Sequence, residues 1–195
     1  MQKLTFSLLA VLGLVGTSFA GREMVSHKEM KQVAPPEHCF NDRELQFDIF
    51  GAYSDGNGQN HAGIFQDNAF GGGIGINYFF HRNLGVGLDA TWLYGEENPQ
   101  VDKDNETTLH NFTGSLIFRF PIDSACIAPY LFVGGGFHVD GEQWASGHAG
   151  GGLEYRIVPQ KVGIFVDARY TYFGDRFGYG DQSQVGARAG VRVVF

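Results

Sequence analysis

From Gln184 to Phe195 the chain reads QVGARAGVRVVF, and every second residue is apolar: Val185, Ala187, Ala189, Val191, Val193 and Phe195. Between them stand Gln184, Gly186, Arg188, Gly190 and Arg192, with Val194 alone breaking the polar run. Successive side chains of a strand point to opposite faces, so this stretch has one oily face and one polar or empty face. It is about twice as long as the usual strand of a soluble protein. Length, alternation and a final aromatic together predict the closing strand of a transmembrane β-barrel.

The same alternation predicts seven strands before it. Strand one, about Glu44–Tyr53, sets Leu45, Phe47, Ile49 and Tyr53 against Glu44, Gln46 and Asp48. Strand two (Phe70–Phe80) sets Ile74, Ile76, Tyr78 and Phe80 against Gly73, Gly75 and Asn77. Strand three (Leu84–Tyr94) sets Leu84, Val86, Leu88, Ala90, Trp92 and Tyr94 against Gly85, Gly87, Asp89 and Thr91. Strands four (about Thr108–Phe120), five (Ile127–Val139), six (about Ala145–Ile157) and seven (Val162–Phe173) repeat the pattern, and no helical period interrupts it. An even count suits an antiparallel up-and-down barrel. Long connections at 54–69, 95–107 and 174–183 alternate with short ones at 81–83, 121–126 and 158–160, and a modest one falls near Asp140-Gly141-Glu142. Long loops on one rim and tight turns on the other are how outer-membrane barrels are built, the short turns being periplasmic.

Alternation alone does not say which face is outside, since a soluble ligand-binding barrel has the same period with oil within. Three features decide for the membrane. The apolar set carries no charge in any strand core. In the polar set Glu44, Asp48, Asp89, Glu154 and Asp167 balance Arg119, Arg156, Arg169, Arg188 and Arg192, as a narrow interior requires because a charge there must find a partner. Glycines crowd the same set, and an eight-stranded barrel is barely wide enough for its side chains, so small residues must alternate with long arginines. Tyr53, Tyr78, Trp92, Tyr94, Tyr155 and Tyr170 fall near strand ends, where interfacial girdles belong.

Ahead of the barrel, residues 1–20 open on Met1-Gln2-Lys3, run through an apolar stretch from Leu8 to Val15 and end Thr17-Ser18-Phe19-Ala20. This is the pattern of a secretory signal peptide with a mature start at Gly21. Removing Lys3 takes the formal charge from −7 to −8, an acidic balance that argues against a nucleic-acid partner. Residues 21–43, with Pro35-Pro36 and no period, read as an irregular periplasmic arm.

The segments GGGIGINYFFHRNLGVGLDATW (71–92), IAPYLFVGGGF (127–137), HAGGGLEYR (148–156) and VGIFVDARYTYF (162–173), with the terminal aromatic, resemble the small outer-membrane β-barrel proteins of the OmpA/OmpX-like class. The resemblance covers about 44–195 and implies a barrel in outer-membrane lipid whose C-terminal Phe195 is read by the barrel-assembly machinery. Members of that class differ in activity, so it implies a fold more than a function. No peptidoglycan-binding segment is recognisable.

The leading functional expectation is a monomeric structural or interaction protein, its lumen filled by the ten charged residues as a structural network. Its polar loops 54–69, 95–107 and 174–183 would meet a surface ligand or partner. A small pore is the rival. A lipid-modifying enzyme is the third reading, resting on Ser146 and His148, two apart on one strand; both point inward by parity, and no orienting third residue is evident. His138 and His148, inward on adjacent strands, make at most two ligands, so no metal and no cofactor are expected. At the closure seam Glu44 and Asp48 are expected to approach Arg188 and Arg192. Topology also places Cys39, in the arm, and Cys126, at the end of a short turn, in one oxidising compartment, which predicts a Cys39–Cys126 disulfide beneath the barrel mouth.

Overall fold

The computed structural model describes residues 38–55, 68–96, 106–140, 142–175 and 181–195. The leader, the arm up to residue 37 and the central parts of the three long loops lie outside the described residues.

Eight strands make one closed antiparallel barrel in sequence order. They are β1 (Glu44–Asp55), β2 (Ala69–His81), β3 (Leu84–Glu96), β4 (Glu106–Arg119), β5 (Ile127–Asp140), β6 (Glu142–Val158), β7 (Val162–Asp175) and β8 (Asp181–Val194). Every strand, β3 included, runs past its sequence-read bound at the loop end, so hydrogen-bonded pairing runs further up the barrel than the hydrophobic pattern does. Pairing of β5 with β6 runs up to Asp140 opposite Glu142. Closure comes from β8 lying against β1, with Asp48 opposite Arg192 and Ile49 opposite Val191. Phe195, just past β8, still exchanges both backbone hydrogen bonds with Leu45 (2.8 and 3.2 Å).

The period-2 pattern sets the faces as its physics demands. Leu88, Leu131, Val166 and Val191 are about half exposed or more, whereas Glu44, Asp48, Glu154 and Asp167 are at most 3% exposed. A shell of bare Leu, Ile, Val and Phe around a charged interior is a solution for hydrocarbon, not for water. Tyr78 and Tyr155 lie toward the short-turn end, and Tyr53, Tyr94, Tyr170 and Tyr172 toward the loop end, so both rims carry outward tyrosines.

The interior departs from the sequence reading in one respect: it is not simply polar and small. Phe50, Phe79, Tyr130, Phe132 and Phe165 all point inward and are buried. They also explain the glycines. Phe50 stands opposite Gly73 and Gly190, Phe79 opposite Gly85, Tyr130 opposite Gly152 and Phe132 opposite Gly150. A methyl placed on Gly73 would sit 2.6 Å from the Phe50 ring, and one on Gly152 would sit 2.8 Å from that of Tyr130. These glycines make room for the neighbouring backbone carbonyls, closer still to such a methyl at Gly73 and Gly152, and for rings lying across the neighbouring strand, a pairing known to support glycine in sheets. The arginines then lie on those rings.

Candidate functional site: the charged lumen

The lumen is layered, and each layer follows from the register. At the short-turn end, Glu44 opens β1 and its carboxylate receives Arg119 Nη1 from β4 (2.8 Å), Arg156 Nη2 from β6 and the Gln46 amide. Glu154 lies beside them, 2.7 Å from Arg156 Nε and 3.8 Å from Arg119 Nη1. The next layer is Arg192, which donates Nε and Nη2 to the two oxygens of Asp48 (2.7 and 2.6 Å) and Nη1 to Glu154 (2.7 Å). That fork geometry is the strong form of an arginine–carboxylate pair. Asn77 donates to the same Asp48 at 2.8 Å.

Higher in the lumen, Arg188 forks onto Asp167 (2.9 Å twice) and reaches Asp89 at 3.1 Å, while Arg169 donates to Asp89 (2.8 Å) and Thr113 (3.1 Å). Tyr130 donates its hydroxyl to Asp167 (2.8 Å). Rings separate these layers. Arg119 lies 3.8 Å from the Phe79 centroid, Arg188 4.8 Å from Phe50, Arg169 5.1 Å from Phe132 and Arg192 4.7 Å from Phe165. A guanidinium over a ring keeps a favourable electrostatic neighbour where water is absent.

All ten charged residues singled out from the sequence lie in this one interior, but two pairings differ from the expectation. Glu44 does not approach β8; its partners come from β4 and β6, across the lumen rather than along the seam. Arg188 looks to β7 and β3. Asp48 and Arg192 do face each other at the seam. Strand adjacency predicts only neighbours, whereas a narrow barrel lets a long arginine cross its full width.

The Ser and His residues sort differently too. Ser146 is hydrogen-bonded to His138 (2.7 Å) and His148 to Ser115 (2.8 Å), so Ser146 and His148 belong to separate pairs. The Nδ1 atoms of both histidines are buried without a protein partner. Each pair lacks the orienting acid of a nucleophilic triad. Among the described residues no group of three His, Cys, Asp or Glu side chains could hold a metal ion.

Space in the lumen is scarce. A cavity of about 50 Å³ lies toward the loop end, lined among others by Thr91, Asn111, His138, Thr171 and Gln184, and one of about 20 Å³ lies between Asp48, Asn77 and Tyr130. These are water-sized spaces. Below the Glu44 layer the lumen is covered by Phe40, 1% exposed and 4.9 Å from both Arg119 and Arg156. Cys39, next to it, is bonded to Cys126, with Cα atoms 5.4 Å apart. Cys126 ends the 3₁₀ turn Asp123–Ala125 that joins β4 to β5. Sequence topology found the two cysteines; it gave no sign that Phe40 would be the cover.

No family model matches the chain, and no curated protein matches its sequence. Solved structures do match. OprG, an outer-membrane protein of Pseudomonas aeruginosa, superposes with a TM-score of 0.57 at 12% identity, over 80% of this chain and 97% of that one. Neisserial surface protein A gives 0.56 at 20% identity, over 77% and 95%. Ail, the attachment invasion locus protein of Yersinia pestis, gives 0.52 at 19% identity, over 79% and 99%. This is the fold of the eight-stranded outer-membrane β-barrels. At such identities the likeness is one of fold, and the chemistry of the lumen must speak for itself.

Proposed function

We propose that the protein is a non-conducting anchor in the bacterial outer membrane that holds a set of polar loops at the cell surface for contact with a ligand or partner. The observation that carries this reading is the unbroken stack of Arg–carboxylate layers and rings from Phe40 up to Arg169. An ion crossing the lumen would have to displace guanidiniums that are already paired and desolvated, and separating such a pair leaves an uncompensated buried charge. The lumen cavities, about 50 Å³ toward the loop end and about 20 Å³ beside Asp48, are water-sized.

The remaining parts fit that role. A leader over 1–20 would export the chain, and Phe195, 74% exposed beside Leu45, is placed where an assembly factor could grip the last strand. Apolar residues cover the outer wall all round, which suits a monomer bathed in outer-membrane lipid. The loops within 54–69, 95–107 and 174–183 supply Asn, Asp, Gln and aromatic groups for recognition.

Planar-bilayer recording of the purified barrel tests the first half of the reading: no steady unitary current is expected, and a reproducible open channel would make it a pore instead. Shortening each loop in turn, followed by whole-cell binding to surfaces or host glycans, tests the second. At least one shortened loop should lose binding while the barrel still resists heat in detergent gels.

A further inference from the structure

Residues 38–44 are sewn to all three tight turns at their end of the barrel. The His38 carbonyl accepts from Gln160 Nε2 in the β6–β7 turn (3.0 Å), and the Cys39 N–H donates to Asp123 in the β4–β5 connection (3.1 Å). Asp42 accepts from the Arg82 N–H in the β2–β3 turn (2.6 Å), and Arg82 Nη2 in turn reaches Asp123 (2.6 Å). The three non-glycine residues with positive φ among the described residues are Arg43 (56°), Cys126 (52°) and Gln160 (58°), all at this clasp. A left-handed backbone at such residues persists only where its surroundings impose it, and it gathers at clamps and switches.

One tie in this clasp is covalent, and its two sulfur-bearing residues are unequally reachable. Cys39 is 5% exposed, packed with Phe40 and Ala128 inside the mouth. Cys126 is half-buried, on a 3₁₀ turn with no buried residue, at the rim. Disulfide exchange requires a thiolate to reach one sulfur along the bond axis, so access selects which cysteine is attacked.

We propose that Cys39–Cys126 is a thiol-exchange site that releases the arm from the barrel mouth, with Cys126 the sulfur attacked and an exported dithiol the reacting partner. The thiolate of that dithiol attacks Cys126 Sγ, forming a mixed disulfide; the Cys39–Cys126 bond breaks, and its electron pair leaves on the Cys39 sulfur, which takes a proton from water. The second thiol of the partner, as thiolate, then attacks its own sulfur in the mixed disulfide. Cys126 leaves as a thiolate and the partner departs oxidised to its disulfide. What still holds residues 38–41 is a few hydrogen bonds, individually worth little, and the seat of the Phe40 ring against Ala128, Arg119 and Arg156. Phe40 then leaves the faces of Arg119 and Arg156, and residues 38–41 come away from the barrel mouth. Glu44 keeps both arginines paired, so the unlocking does not depend on whether the lumen conducts.

The test uses the full mature protein, folded in nanodiscs with the bond intact. Brief treatment with limiting glutathione, acid quenching, alkylation with a maleimide and peptide mass mapping should place glutathione on Cys126 and the maleimide on Cys39. Complete reduction with dithiothreitol should then speed hydrogen exchange at 38–43 by about tenfold or more while the strands stay protected. Glutathione found on Cys39, a bond that yields only when the strands unfold, or an arm still protected after full reduction would each overturn the proposal. The Cys39→Ser/Cys126→Ser double variant gives a second reading: its barrel should be as heat-resistant in detergent gels as the reduced protein, with the same fast exchange at 38–43.

Discussion

At the short-turn end, two carboxylates and two guanidiniums share one dry cluster covered by Phe40. At the loop end, Ser54, Thr91, Asn111, His138, Thr171 and Gln184 line about 50 Å³ of free space, with Arg169 and Arg188, already paired with Asp89 and Asp167, also on its wall. The difference is one of replaceable against irreplaceable partners. Water can stand in for the partner of a hydroxyl or an amide at small cost. It cannot stand in for a buried counter-charge. The lower half of the lumen is therefore fixed by its chemistry, whereas the polar groups at the top of the lumen have partners that water can replace.

Glu44→Leu should show the largest effect, because it strands Arg119 and Arg156 together. We expect a loss of about 3–5 kcal/mol in urea unfolding of the detergent- or lipid-folded barrel. A small loss would mean that the cluster is wet and that the two ends are alike. Val191→Arg comes next and asks about the faces rather than the ends. Its side chain points into the hydrocarbon opposite Ile49 and Ile164, and about 2–4 kcal/mol should be lost if it lies near the midplane. Val194, by contrast, is 8% exposed and faces inward. Tolerance of Val191→Arg would reverse the assignment of inside and outside.

A smaller effect follows from Asp123. Desolvation by the arm pushes its carboxyl up, but the hydrogen bonds from Arg82, the Cys39 amide and His38 outweigh it and hold the pKa below the ordinary 3.8. A depressed carboxylate stabilises the folded state fully above its unfolded value and loses that contribution as pH falls through its folded one. The clasp should therefore loosen only below about pH 4. Hydrogen exchange at 38–43, corrected for intrinsic rate, should rise between pH 5 and pH 3 in the native protein, and Asp123→Asn should show the faster exchange at both. A clasp indifferent to pH over that range would place its strength elsewhere.

The smallest change is expected at the loop end. Ser146→Ala removes the hydroxyl bonded to His138, at about 1 kcal/mol, since the cavity that His138 lines has room for a water in its place. A loss as large as that of Glu44→Leu would erase the contrast between the two halves.

Period-2 patterning made much of this legible. Hydrophobic alternation separated the lipid face from the lumen in every strand, because each inward charge is bracketed by outward apolar residues. The cysteine pair was legible because an up-and-down topology puts chain start and even-numbered turns on one side. Partner choice was not legible. Arg119 meets Glu44 across the lumen, and Arg188 meets Asp89 three strands away by the shorter way round, so sheet neighbours did not identify them. The inward rings were missed for another reason: Phe79 and Phe132 sit beside outward Phe80 and Leu131, and consecutive apolar residues do not say which is turned in.

The cross-lumen pairs also bear on how the barrel is made. Glu44 and Arg119 are 75 residues apart, Asp89 and Arg188 are 99, and Asp48 and Arg192 are 144. These pairs need the sheet to curl shut, so they arrive late, after Arg188–Asp167 on neighbouring strands and Arg156–Glu154 within one strand can already have formed. A strand inserted one residue out of step would turn its arginine toward the acyl chains and its valines toward the carboxylates. Closure thus carries its own proofreading: a mis-registered ribbon is left bearing naked charge, and only the correct ring extinguishes it.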